Sequence, residues 1–189
     1  MTHDDRMPPI PVAQMSEAQR RAAAELVAGP RGALIGPFVP LLRSPELMSR
    51  LQKVGEYLRF QNSLPPALVE LVILMTARLW TQRFEWQAHH PIAMHAGLNA
   101  EIAAAIAEGR RPGDMNADEQ TVYEFCVELQ HSKSVSGATY RRVVERFSEQ
   151  GVIDMTALAG YYATLAMVMN VARTAVPADE GGSLPSLPA

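Results

Sequence analysis

The chain predicts an all-α fold. Helix start and stop residues recur along its whole length, apolar residues inside the bracketed segments repeat at helical spacing, and no segment shows the period-two alternation of a strand. Together these give a single bundle of about eight helices. The 189 residues suffice for one sizeable core and are too few for two ordinary domains.

Residues 1–15 combine charge with proline and read as a loose arm. Ser16 and Gln19 form a capping-box pattern opening a helix that Gly29 closes. Residues 30–43, PRGALIGPFVPLLR, break periodicity yet remain apolar, so an irregular stretch wrapping the core or lining a cleft is expected. Ser44, Pro45 and Glu46 place a cap, a first-turn proline and an acid at the start of a helix reaching about Phe60. A third helix opens at Pro65–Pro66. Its run ALVELVILMTARLW is apolar nearly all round, as a central core helix is.

Thr81 can cap a fourth helix, Gln82 to Ala96, closed by Gly97. Pro91 lies inside it and cannot donate to the Gln87 carbonyl, so the helix either bends beside His89 and His90 or ends near His90. Asn99 caps a short fifth helix ended by Gly109, and Asn116 with Glu119 opens a sixth reaching about His131. Ser136 starts a seventh that Gly151 stops. Asp154 then caps a long last helix that Pro177 terminates, and ADEGGSLPSLPA at 178–189 reads as a flexible tail. Residues 16–177 thus form the one domain.

Composition narrows the chemistry. The chain is 48% hydrophobic and 20% charged with a net charge of -3, which suits a globular protein and provides no basic field for nucleic acid or an anionic membrane. The N-terminus lacks the apolar region of a secretory signal, and the most apolar run, Leu68 to Ala77, is far shorter than a membrane span, so a cytoplasmic protein is expected. Cys126 is the single cysteine, which excludes an internal disulfide framework, a cysteine-rich zinc site and an intramolecular dithiol couple.

The fourth helix carries the strongest constellation. Gln82, Glu85 and His89 fall on one stripe, and Glu85 and His89 are an i, i+4 pair. A carboxylate beside imidazole orients the ring and tunes its proton affinity, the wiring of a general acid/base. The same pair on an exposed face would be an ordinary surface contact. Glu70, isolated in the apolar third helix, needs a partner, either in a site or in an ion pair with Arg78, Arg43 or Arg59. Trp80, Trp86, Tyr57, Tyr161 and Tyr162 read as core or interface, and Met155, Met167 and Met169 as core filler. Asn170, amid AMVMNVA, should be buried and hydrogen-bonded, either to a carbonyl of a neighbouring helix or into a pocket. The spacing contains no His-Glu-x-x-His and no paired Glu-x-x-His, so no metal site is assigned.

Three segments, ELVILMTARLW, EWQAHHPIAMHAGL and GYYATLAMVMNVARTAVP, resemble the carboxymuconolactone decarboxylase and alkylhydroperoxidase D-like superfamily. The resemblance spans about Gly29 to Pro177 and implies an alkylhydroperoxidase D-like helical bundle. In the peroxidase branch a Glu is followed at fixed spacing by Cys, Cys and His. Here those slots hold Glu70, Gln82, Glu85 and His89, so both thiols that peroxide reduction needs are replaced.

The decarboxylase branch shares the Glu85–His89 arrangement and implies a cofactor-free lyase, or a related proton-transfer enzyme, acting on a small carboxylated or lactone-like substrate in aromatic-acid breakdown. The resemblance then assigns His89 as acid/base, Glu85 as its orienting partner and Glu70 as a second carboxylate. Gln82, His90 and Asn170 are candidate substrate contacts, although His90, like His95, also fits packing or the rim. A cationic contact for the substrate's carboxylate must come from elsewhere. The longer N-terminal part sets the chain nearer a paralogous subgroup whose substrate need not be shared. The resemblance also implies a homo-oligomer, a trimer or hexamer, formed through the apolar third and last helices. The contrasting expectation is a binding or assembly protein that keeps the pocket and has lost the chemistry, with superfamily-type peroxidase activity as a third.

Overall fold

The computed structural model describes residues 5–176 and 184–185. In chain order the helices are α1 (Glu17–Ala28), α2 (Phe38–Leu41), α3 (Pro45–Phe60), α4 (Pro66–Leu79), α5 (Arg83–His95), α6 (Ala100–Ala107), α7 (Ala117–Val127) and α8 (Gly137–Ala172). A 3-10 turn at Val12–Gln14 precedes α1, and a π turn at Glu128–Ser132 extends α7. There is no strand among the described residues. The all-α, alkylhydroperoxidase D-like bundle expected from the sequence is the fold observed.

Helix α4 is the axis of the bundle. Every residue from Leu68 to Arg78 is buried, and α5, α6, α7 and α8 all pack on it. Its all-round apolar surface is therefore consumed within the protomer, and only the end residues Pro66 and Leu79 remain substantially exposed. This corrects the expectation that α4 supplies a face for self-association: a helix enclosed by four neighbours has no free side. Exposed apolar side chains lie instead at Ile92 on α5 and at Ile153, Met167 and Val171 on α8.

The capping signals act largely as expected. Ser16 with Gln19, and Asn116 with Glu119, form complete capping boxes. Asn99 and Ser136 accept from the first turns of α6 and α8. At α5, however, the cap is Gln82 and not Thr81. The Gln82 side chain accepts from Phe84 N at 2.7 Å, whereas Thr81 adopts a φ of 47°, outside helical geometry. The helix continues through Pro91 to His95.

The last two expected helices are one element. Its break is at Ser148, with φ 64° and ψ 176°, and not at Gly151. Asp154 is no cap: its carboxylate accepts from Ser63 N at 3.0 Å, Ser63 Oγ at 2.8 Å and Tyr57 Oη at 3.1 Å. The side chain thus ties α8 to the α3–α4 connection, which is why it is buried. Helix α8 ends at Ala172, with Arg173 left-handed at φ 54°. Pro177, expected to end this helix, lies outside the described residues, as does the expected tail apart from Leu184 and Pro185. Leu184 is buried, and Arg78 donates to the Pro185 carbonyl.

The N-terminal arm is held from Asp5 onward. Arg6 N donates to Ala172 O at 2.8 Å, and Arg43 donates to the Met7 and Pro8 carbonyls. One window of α8 reaches a mean hydropathy of 1.4 over 18 residues, with half of it buried. Among the described residues α8 is the one helix long and apolar enough to cross a membrane by length and composition; the same composition describes the core helix of a globular domain.

Candidate functional site

Glu70 projects from the enclosed α4, and Glu85 and His89 from successive turns of α5, which packs directly on α4. His89 Nδ1 lies 2.7 Å from Glu70 Oε2, and its Nε2 lies 3.6 Å from Glu85 Oε2. All three are buried, with relative exposures of 5% for Glu70, 4% for Glu85 and 5% for His89. The first contact has full hydrogen-bond length, and it fixes the imidazole with Nε2 toward Glu85. The Tyr162 ring meets His89 edge-on, centroids 5.1 Å apart at 88°, and braces its plane.

Orientation of His89 therefore belongs to Glu70, across the helix pair. The Glu85 contact is longer than a hydrogen bond, and Glu85 Oε1 is buried with no hydrogen-bond partner. Burial raises the Glu85 pKa above the ordinary carboxylate value, opposed by His89, Arg59 and Arg31 and assisted by Glu70. A carboxyl group in such surroundings is a candidate proton donor.

Glu85 and His89 open onto a cleft of about 320 Å³. The irregular segment before α2 and the start of α2 form one wall through Pro30, Arg31, Ile35 and Phe38; Arg59 and Phe60 close the end of α3, and Phe84, Tyr162 and Leu165 complete it. The expectation that residues 30–43 line a cleft is met. Gly36 makes this approach possible: its φ is 57°, and a Cβ there would sit 2.4 Å from the Phe84 ring.

Gln82 and Asn170 are directed elsewhere. Gln82 Nε2 donates to Asn170 Oδ1 at 2.9 Å, and Asn170 Nδ2 donates to Trp80 O at 3.1 Å. Neither lines the cleft. Asn170 is exposed and not buried as expected; its amide bridges the two helix ends at the protein surface. His90 is half-buried, stacks on Trp86 at 5.9 Å, and is not among the cleft-lining side chains. Among the described residues Glu70 pairs with no arginine: Arg78 serves the Ala107 and Pro185 carbonyls and Thr81, and Arg43 the N-terminal arm.

Residues 45–122, which contain α3 to α6, the start of α7 and all three buried acid/base side chains, match the Carboxymuconolactone decarboxylase family. Comparison with curated protein sequences gives no match. The family segment supplies Arg59, Glu70, Glu85 and His89, whereas Arg31, Phe38 and Tyr162 come from outside it.

Thiol chemistry lacks a nucleophile here. Cys126 is fully buried in α7, and burial pushes its thiol up to about 12, so it carries no thiolate at neutral pH. Among the described residues no group of three or more His, Cys, Asp or Glu side chains is arranged to hold a metal ion.

Arginine and tyrosine are the residue types that sequence reasoning did not place in the site. In the sequence Arg31 sits in a segment distinguished by its apolarity, and Arg59 reads only as an ion-pair partner. Tyr161 and Tyr162 fitted a core helix equally well. The irregular segment was the one available signal for Arg31.

Proposed function

We propose that this carboxymuconolactone decarboxylase family protein is a cofactor-free enzyme that moves a proton at carbon, in a lyase or related reaction on a small carboxylated or lactone-like substrate. The observation that carries the reading is the buried Glu70–His89–Glu85 chain at the wall of a cleft large enough for such a substrate.

The chemistry divides between the two acidic side chains. Glu70 fixes the imidazole through Nδ1. Glu85, kept toward its neutral form by burial, carries the transferable proton, and His89 Nε2 faces it at 3.6 Å. When CO2 leaves a substrate whose own carbonyl and alkene accept the electron pair, this proton goes to the carbon that lost it. In an isomerisation the same pair removes and returns it. Glu85 thus works with His89 at the reacting centre, a closer role than the orienting one the resemblance implied. Action in the cytoplasm as a homo-oligomer is part of the same proposal.

The test is turnover of small unsaturated lactone acids by the full chain, followed by CO2 release and by uptake of solvent deuterium into product. Catalysed deuterium incorporation that His89→Ala and Glu70→Gln reduce supports the reading. A panel of such acids recovered unchanged, with no exchange, supports a binding protein instead.

A further inference from the structure

The cleft that Glu85 and His89 line also carries two cations, both near enough to Glu85 to oppose the rise of its pKa. Arg31 and Arg59 both line it. The surface arginines Arg21, Arg50, Arg111 and Arg142 each pair with a carboxylate. No ion pair neutralises Arg31 or Arg59 among the described residues. Arg59 lies 5.0 Å from the centroid of the Phe60 ring. Arg31 lies 4.7 Å from the Phe38 centroid, and its Nη2 donates to Tyr161 Oη at 3.3 Å. Its Nε is buried with no hydrogen-bond partner.

These contacts leave Arg31 incomplete. Burial pushes the Tyr161 phenol up to about 12, so it supplies an oxygen but no charge. Nε is enclosed, but the guanidinium edge in the cleft carries a charge that no carboxylate among the described residues pairs, and a planar carboxylate is the group a guanidinium takes through two parallel N–H···O bonds. The geometry is built for this placement. Gly55 of α3 faces the pair, and a Cβ at that position would lie 2.1 Å from Tyr161 Oη and 2.4 Å from Arg31 Nη2.

We propose that Arg31 and Arg59 form a carboxylate-anchoring subsite, which takes a small planar unsaturated or aromatic acid by its carboxylate and presents the rest of the molecule to Glu85 and His89. The orientation of that molecule rests on the function proposed above; the anchoring itself does not. Phe38, Phe60 and Phe84 line the space between and suit a flat π-system. The anchored carboxylate is the one the product keeps. Two guanidinium groups stabilise a carboxylate before reaction and would oppose its loss as CO2. Arg31 lies outside residues 45–122, so this determinant is added by the N-terminal wrap.

The experiment is isothermal titration of the full chain with benzoate and with its neutral counterpart benzamide, at millimolar concentration. Wild type is compared with Arg31→Gln, Arg31→Lys, Arg59→Gln and, as a surface control, Arg110→Gln. Benzoate is expected to bind about tenfold or more tightly than benzamide, and Arg31→Gln to remove that preference. Arg31→Lys keeps the charge and loses the paired geometry, so it should be intermediate, and Arg110→Gln should titrate as wild type. Should Arg31→Gln fail to fold, Arg31→Lys and Arg59→Gln decide the matter by the same preference. Equal binding of acid and amide, no benzoate binding, or folded arginine variants that titrate as wild type would overturn the proposal. Turnover is not needed for this readout. A benzoate anchor without any catalysis would overturn the enzymatic reading and leave the subsite standing; catalysis with no carboxylate preference would do the reverse.

Discussion

His89 Nδ1 and Glu70 Oε2 lie 2.7 Å apart, joining two helices through residues that are each 5% exposed. A buried imidazole held this way has one nitrogen committed to structure and the other free for chemistry. Glu70→Ala leaves that buried imidazole nitrogen without a hydrogen-bond partner and should cost about 1–3 kcal/mol of stability. Glu70→Gln retains an acceptor oxygen and should cost less while still impairing proton transfer. Urea unfolding of the two variants, beside their kcat/KM, separates these effects.

Glu85 should make stability depend on pH. Its folded pKa is raised by burial, so the native state holds a proton that the unfolded chain releases. The stabilisation from that proton is complete below the ordinary carboxylate value and is lost as pH rises through the raised folded value. Glu85→Gln removes the titration. Melting temperatures of the variant and wild type should converge in acid and separate toward neutral pH, with Glu85→Gln the more stable. A constant difference across the range would place the Glu85 titration outside the interior.

Gly55→Ala should disturb the cation wall specifically. The added methyl overlaps Tyr161 Oη and Arg31 Nη2, and relieving it should cost about 1–3 kcal/mol. The expected signature is a lowered melting temperature together with weakened benzoate binding. By contrast Asp154→Ala, which removes the acceptor of Ser63 N and Oγ, should cost about 1–3 kcal/mol without changing benzoate affinity in the folded protein.

Cys126 should be silent. Its thiol is enclosed and raised to about 12, so a disulfide reagent at neutral pH should react with the unfolded chain and not with the native one. Cys126→Ser should leave thiol-dependent peroxide consumption at background, as in wild type.

Much of the bundle was readable because its signals are local. Capping residues, first-turn prolines and the apolar α4 depend on neighbours within a few positions, and Glu85 with His89 is visible as one turn of helix. Glu70 could be singled out because a carboxylate in ALVELVIL needs a partner, but that partner is 19 residues away and belongs to another helix. The errors follow the same logic. Asp154 has the composition of a cap, and only the packing of α8 on the α3–α4 connection turns its carboxylate to Ser63. Asn170 reads as buried from its apolar neighbours, yet it stands at a helix end where Gln82 and Trp80 meet it. Arg31 reaches the cleft through an irregular segment whose path no periodicity encodes.

The most direct measurement is kcat/KM of His89→Ala against wild type, on the first lactone acid found to be turned over. A loss of about 10²–10⁴-fold with the fold retained is predicted, the usual contribution of a positioned acid/base group. An unchanged kcat/KM would remove His89 from the reaction and contradict the central claim.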